Sequence, residues 1–173
     1  MPITSGKPLS GTEIHSLESK FNISLPDDYR NFLASENGFV VKSPDFSELD
    51  YDGVDEGVIA FNALYGVGTQ NYHFDINHHN DNYLNELDFV NDKIIIGDDP
   101  GGNYYIIINS QNEKGVFYWD RTHLHSEDDI QNFAIPEKND CGNIYKVADS
   151  FSSFYALVSQ TTLNLGMKVN NDL

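Results

Sequence analysis

Residues 93–120 read KIIIGDDPGGNYYIIINSQNEKGVFYWD, and this stretch decides the fold. It contains three runs rich in isoleucine, valine and aromatic residues, namely Ile94–Ile96, Tyr104–Ile108 and Val116–Trp119. A Gly- and Pro-containing turn, Gly97–Asn103, separates the first two runs, and a polar turn, Asn109–Lys114, separates the last two. Such an arrangement is typical of consecutive antiparallel strands. The stretch therefore predicts a β-meander at the centre of the fold.

Two helices are predicted before the meander. Ser10 and Glu13 fit a capping box, and apolar residues at helical spacing extend this helix over residues 11–21. Pro26 suits the first position of a second helix because its missing N–H would have no partner there. The pair Asn37-Gly38 is a left-handed stop for that helix.

The rest of the chain gives shorter signals. Ser150 is a cap for a last helix whose apolar residues face inward. We further predict strands at Phe39–Val41 and Val58–Phe61, an acidic loop from Asp45 to Glu56, a short helix at Asp81–Leu87 and irregular structure over 121–143. Strands gathered into one run, rather than alternating with helices, favour an α+β fold.

We therefore expect two N-terminal helices, a curved and mainly antiparallel sheet, and a C-terminal helix packed on the sheet. A chain of 173 residues suits one domain. We expect that domain over residues 1–173, with its core at about 10–160 and with short, loose tails.

The chain is strongly acidic. Lys and Arg total 10 against 27 Asp and Glu, so the formal net charge is −17. This charge repels nucleic acid and anionic membranes and attracts cationic partners. The single cysteine, Cys141, allows no disulfide within the chain, and no apolar run suits a signal peptide or a membrane span. We expect a cytoplasmic protein with a basic protein partner, and no nucleic-acid or membrane partner.

The negative charge is concentrated in one segment. Residues 43–92 contain no Lys or Arg and hold eleven acidic residues: Asp45, Glu48, Asp50, Asp52, Asp55, Glu56, Asp75, Asp81, Glu86, Asp88 and Asp92. Electrostatic fields of opposite sign on two proteins accelerate their association, and a few desolvated charge pairs at the interface then determine specificity. The segment indicates a binding face for a basic protein. The alternative is a solvated acidic loop that serves solubility.

Metal sites are weakly supported. Glu48, Asp50, Asp52 and Gly53 resemble the first half of a calcium loop, but position twelve is Ile59 where a bidentate Glu is required. The histidine pairs at 78–79 and 123–125 do not make a zinc site, because such a site takes three or four ligands. We expect no metal and no cofactor.

Catalysis is also weakly supported. Gly97–Asn103 lacks the Lys-Ser/Thr of a phosphate loop, and no GxSxG elbow is present. Cys141 follows Asp140, whose charge disfavours a reactive thiolate. Paired carboxylates such as Asp98 and Asp120 remain an open acid–base alternative. We expect a protein that is not an enzyme.

Three motifs together resemble the SUKH superfamily, which contains the fungal cell-wall-assembly-regulator domain and many bacterial toxin-immunity proteins. The motifs are Leu25-Pro26-Asp27-Asp28-Tyr29 with Asn37-Gly38, Ile96–Asn103 with Val116–Asp120, and Ser150–Phe154. The resemblance spans about residues 10–160. This sequence departs from the family pattern at Phe39, where a second glycine is common, and in its acidic loop. The resemblance implies an α+β fold and a binding role, since bacterial members typically neutralise a toxin, often a nuclease, by direct binding.

Charge and resemblance combine into one hypothesis. The chain is an immunity protein that binds a cognate secreted bacterial toxin domain, a basic nuclease, through its acidic surface. The alternative is a non-enzymatic scaffold or regulatory module of the same fold. The predicted partner-binding residues are Asp45, Glu48, Asp50, Asp52, Asp55, Glu56, Asp98, Asp99 and Tyr118. Because Tyr118 and Trp119 alternate across a strand, we expect one buried and one facing the partner.

Overall fold

The computed structural model describes residues 2–41, 46–163 and 168–170, with side chains over 6–41 and 46–162. The elements of this part are β1 (Pro2–Ser5), α1 (Gly11–Phe21), α2 (Asp27–Ser35), β2 (Phe39–Val41), β3 (Ser47–Asp50), β4 (Val58–Phe61), β5 (Ala63–Leu64), a 3₁₀ helix (Tyr72–Phe74), α3 (Ile76–Tyr83), a second 3₁₀ helix (Leu84–Leu87), β6 (Lys93–Asp98), β7 (Tyr104–Asn109), β8 (Lys114–Asp120), β9 (Asn143–Ala148), α4 (Phe151–Leu163) and β10 (Lys168–Asn170). The predicted α+β fold is confirmed.

Eight strands form one sheet in the order β10-β1-β2-β5-β6-β7-β8-β9, while β3 and β4 form a separate two-stranded sheet. All pairings are antiparallel except that of β1 with β10. Strands β6, β7 and β8 are the predicted meander, in which Ile107 lies opposite both Ile94 and Val116. The meander thus occupies the middle of the larger sheet.

Helix α1 has the predicted bounds, whereas α2 begins at Asp27, one residue after the predicted start, with Pro26 as its N-cap. The Ser10 hydroxyl accepts from the Glu13 backbone N–H at 3.3 Å, and Glu13 accepts from the Ser10 backbone N–H at 2.8 Å, which completes the capping box. Asn22 ends α1 in the left-handed region, at φ 51°. Asn37 and Gly38 follow α2 at φ 48° and 110°, so the chain reverses there into β2.

Helices cover both faces of the meander. The Phe154 ring of α4 lies 5.0 Å from the Tyr105 ring, whereas His79 and Tyr83 of α3 lie 5.6 and 5.7 Å from Tyr104. Adjacent strand residues point to opposite faces, so α3 and α4 lie on opposite sides of the sheet. The five residues 104–108 are all buried for this reason.

Several sequence predictions need correction. The expected loose tails contain β1 and β10, which pair with each other, and β1 also pairs with β2. The acidic loop includes strand β3, and the helix expected at Asp81–Leu87 is α3 from Ile76 followed by a 3₁₀ helix. Strand β9 follows the irregular polar stretch and forms an edge of the larger sheet.

No helix in the described part of the chain is both long and apolar enough to span a membrane.

Candidate functional site

Asp99 lies at the centre of the turn between β6 and β7. Its Oδ1 accepts from the backbone N–H groups of Gly101 and Asn103 at 2.8 and 2.9 Å. Its Oδ2 accepts from Asn103 Nδ2 at 2.9 Å and from the Tyr118 hydroxyl at 2.8 Å. The residue is only 3% exposed. This carboxylate therefore organises the turn and ties it to β8.

A second buried carboxylate extends this network. Asp120, at the end of β8, accepts from the backbone N–H groups of Leu124 and His125 at 2.8 and 2.9 Å. Asn103 Oδ1 accepts from the backbone N–H and the hydroxyl of Thr122 at 2.8 and 3.0 Å. Both contacts fix the chain that leaves β8. The Gly97–Asn103 motif is thus a structural junction in this protein.

Asp99 and Tyr118 consequently do not face a partner, which corrects their assignment to the binding surface. Tyr118 and Trp119 are both fully buried, because the sheet is covered on both faces and neither side of β8 is free. Burial, reinforced by Asp99, raises the pKa of Tyr118, so its hydroxyl stays protonated and donates to Asp99.

Asp98 is half-buried beside this junction. Its Oδ1 accepts from Asn62 Nδ2 at 3.0 Å. Burial raises the pKa of Asp98 to about 7, and the negative charge of Asp99 adds to this. The acid–base pair of Asp98 with Asp120 gains no support, because Asp120 is bound to the backbone after β8 and shares no hydrogen-bond partner with Asp98.

The remaining predicted residues lie on the β3–β4 hairpin. Its strands alternate, so Ser47 and Leu49 are buried. The carboxylates that face solvent on β3 and on the following turn are Glu48, Asp50, Asp52, Asp55 and Glu56. Within residues 6–41 and 46–162, none of the five forms an ion pair with Lys, Arg or His. We call these five the hairpin carboxylates; Asp45 lies outside the described residues.

Three of the other acidic residues of the segment are engaged within the protein. Asp75 caps α3 by accepting from the Asn77 backbone N–H at 2.8 Å. Asp81 pairs with Lys20 at 2.8 Å, and Glu86 pairs with Arg121 at 2.7 Å. Asp88 and Asp92 are exposed as well, so the hairpin carboxylates are the larger of two groups of exposed acids without an ion pair among the described residues of this segment.

Part of the polar stretch 121–143 adds to this surface. The Asp55 backbone N–H donates to Asp128 Oδ2 at 3.3 Å, and Val54 forms a β-bridge with Gln131. This places the exposed acids Glu127 and Asp129 in the chain that borders the hairpin turn. Ile130, 47% exposed, is an apolar side chain in the same loop. The three consecutive acidic residues at 127–129 were the feature of the sequence that could have indicated this part of the surface.

A cleft of about 480 Å³ lies on one side of the hairpin. Asp50–Gly53 form one wall, residues 132–134 form the other, and Lys146 of β9 also lines it. Among the described residues, no group of three or more His, Cys, Asp or Glu is placed to hold a metal ion. Exposed carboxylates and half-buried aromatic residues thus line the same cleft.

The chain was compared with known proteins. Residues 8–157 match the family model described as the SMI1 / KNR4 family (SUKH-1). No curated protein and no solved structure gave a significant match. The match covers most of the chain and confirms the resemblance drawn from the sequence motifs. This protein belongs to the SMI1 / KNR4 (SUKH-1) family.

Proposed function

We propose that the protein is a non-catalytic immunity protein that binds and neutralises a secreted bacterial toxin domain through the hairpin carboxylates. The observation that carries the proposal is the set of five exposed carboxylates on one hairpin, without an internal ion pair among the described residues. Charges held together against self-repulsion lower stability, so their arrangement favours a use in recognition.

The partner that this surface suits is basic. Nucleases bind phosphate with Lys and Arg, and an inhibitor that presents carboxylates to those groups competes for the same contacts. Interfaces gain affinity where an apolar anchor lies among charged residues, and Ile130 supplies one beside Asp129. A basic nuclease domain is therefore the toxin class we propose.

The test is capture of the C-terminal fragment of the protein encoded by the neighbouring gene, with a growth assay in cells that produce that fragment. We expect tight, salt-sensitive binding and restored growth. The triple variant Asp50→Asn, Asp52→Asn, Asp55→Asn should weaken binding by about 100-fold or more, because each partner charge loses a counterpart worth roughly 1 kcal/mol or more.

A matched control removes the same number of charges elsewhere. Asp27, Asp88 and Asp140 are exposed and lie on other elements, and their conversion to Asn should change the affinity by less than about 3-fold, through the general field alone. Equal weakening by the two triple variants would show that the hairpin is not the binding site. Absence of capture and of growth rescue would overturn the immunity function.

A regulatory or scaffold module of the same fold is the second candidate. The family match is consistent with it, because the superfamily that the sequence motifs resemble also contains the fungal cell-wall-assembly-regulator domain. This candidate predicts an acidic-surface contact with a basic cellular protein and no growth rescue against the neighbouring toxin fragment. The growth assay therefore separates the two functions, whereas binding alone does not.

A further inference from the structure

Two aromatic residues that line the cleft, Tyr51 and Phe133, pack against a third aromatic ring. The rings of Tyr51 and Phe133 each meet the ring of Tyr145 edge-on, with centroids 6.2 Å apart and planes at 88° in both cases. Tyr145 is fully buried, and its hydroxyl has no hydrogen-bond partner among the described residues. Tyr51 and Phe133 are half-buried, and both line the cleft. The two walls thus converge on one aromatic cluster.

Carboxylates stand on either side of Tyr51 in the sequence. Asp50 and Asp52 are exposed while Tyr51 turns inward, and all three line the cleft. The Asn132 backbone N–H donates to the Gly53 carbonyl at 3.2 Å, which joins the two walls at one end. The two walls of the cleft are therefore linked by the backbone as well as by the aromatic contacts.

The lysine in the cleft does not neutralise these carboxylates. Lys146 Nζ pairs with Asp149 Oδ1 at 3.0 Å and lies 5.9 Å from the centre of the Phe117 ring. Neither Asp50 nor Asp52 has an ion pair with a described basic residue. Two carboxylates that line the same cleft as Tyr51 and Phe133 are therefore available to an external cation.

We infer that this cleft receives an arginine side chain of the basic partner. A guanidinium is planar and weakly hydrated, stacks on aromatic rings, and donates paired N–H groups to carboxylates. The lysine ammonium is compact and strongly hydrated, so it uses an aromatic wall less well. The inference deepens the proposed function and rests on it for its biological meaning, because it names the partner group that the hairpin selects.

The experiment is a titration of the full-length, ¹⁵N-labelled chain with N-acetyl-arginine amide, followed by NMR. N-acetyl-citrulline amide, of nearly the same shape but uncharged, is the matched probe. We expect saturable shifts confined to the amides of residues 50–53 and 132–134, with a dissociation constant on the order of millimolar for arginine and no saturation with citrulline. Equal responses to both probes, or arginine shifts spread over the whole surface, would overturn the inference.

Variants separate the cleft from the general acidic field. The double variant Asp50→Asn, Asp52→Asn should weaken arginine binding about 10-fold or more. The double variant Glu48→Gln, Glu56→Gln removes two charges from the same hairpin outside the cleft. It should change the affinity for arginine by less than about 2-fold. Tyr51→Leu keeps an apolar side chain and should still weaken binding several-fold by loss of the ring face. If both double variants weaken binding equally, the site is not the cleft.

The outcome is distinguishable from the test of the proposed function. Arginine binding without toxin capture would overturn the immunity function and keep the cleft as an arginine site. Toxin capture without localised arginine binding would support the immunity function and would overturn the assignment of the cleft as an arginine site.

Discussion

The Gly97–Asn103 turn and the β3–β4 hairpin both carry neighbouring carboxylates, and they hold them in opposite ways. In the turn, Asp99 is 3% exposed and accepts hydrogen bonds from backbone, amide and hydroxyl groups. In the hairpin, Asp50 and its acidic neighbours point to solvent. The turn follows a strand of the covered sheet, whereas the hairpin belongs to a small sheet with one open face.

The comparison separates the residues that maintain the fold from those available to a partner. A buried carboxylate is tolerated only when its oxygens are bound, so every group around Asp99 is committed to the protein interior. An exposed carboxylate contributes little to stability and is free to meet an external charge. The motif by which the chain resembles its family therefore reports on architecture, and the acidic hairpin carries the proposed recognition.

The largest effect expected from this contrast is loss of stability on Asp99→Ala. The substitution leaves the N–H groups of Gly101 and Asn103, the Asn103 amide and the Tyr118 hydroxyl without their acceptor. We expect a fall of about 3–5 kcal/mol in the free energy of unfolding, measured by urea denaturation at pH 7.

Asp50→Ala is the matched control, since it removes a carboxylate that makes no such contacts. It should change the free energy of unfolding by less than about 0.5 kcal/mol. Asp99→Asn keeps one acceptor oxygen, so its loss in the free energy of unfolding should lie between those of Asp99→Ala and Asp50→Ala. A loss below about 1 kcal/mol for Asp99→Ala would contradict the structural role of the network.

The signals along the chain explain what the sequence could predict. The meander and the N-terminal helices were predictable because their apolar runs, caps and stops are local: Ser10, Asn22 and Gly38 act on adjacent backbone. Strand β3 was missed because Glu48 and Asp50 are poor strand residues, and only the buried Leu49 marks its inward face. The start of helix α3 was placed too late in the chain because its first residues are rich in Asn and His, although Asp75 has the residue type of a helix N-cap.

Burial in the candidate site was less predictable. Two consecutive aspartates in a Gly- and Pro-containing turn suggest exposure, but Asp99 is buried by Tyr118, which lies 19 positions away. The loop acids at 127–129 are brought to the hairpin by the contact of Asp128 with Asp55 and by the bridge between Gln131 and Val54. Such long-range partners are set by packing. The exposure of Glu48 and Asp50, by contrast, follows from alternation along one strand.

The second-largest expected effect is a pH dependence of the free energy of unfolding, which comes from Asp98. Burial raises its pKa to about 7, above the usual value near 4 of an exposed Asp, so the folded state holds the proton more tightly than the unfolded state. This contribution to stability is complete below about pH 4 and is lost as the pH rises through about 7. A tenfold difference in proton affinity between the two states corresponds to about 1.4 kcal/mol of stability.

Asp98→Asn imitates the protonated form at every pH. Relative to the wild type, the variant should gain stability steadily between about pH 4 and pH 8, by a few kcal/mol in total, and other titrating groups cancel in this difference. Urea denaturation of both proteins across that range measures the gain. A constant difference between them would show that Asp98 is ionised throughout and that its burial is not reflected in its titration.

The smallest effect is expected from the hairpin itself. Asp50→Asn, Asp52→Asn and Asp55→Asn together remove three of the charges that make up the net −17, and none of these side chains has an ion pair with a described residue to lose. The free energy of unfolding should change by less than about 1 kcal/mol, and at low ionic strength it should rise slightly because self-repulsion falls. Thermal denaturation at low and high salt measures both effects. A marked loss of stability would mean that the hairpin carboxylates support the fold as Asp99 does, and the division between structural and recognition carboxylates would then fail.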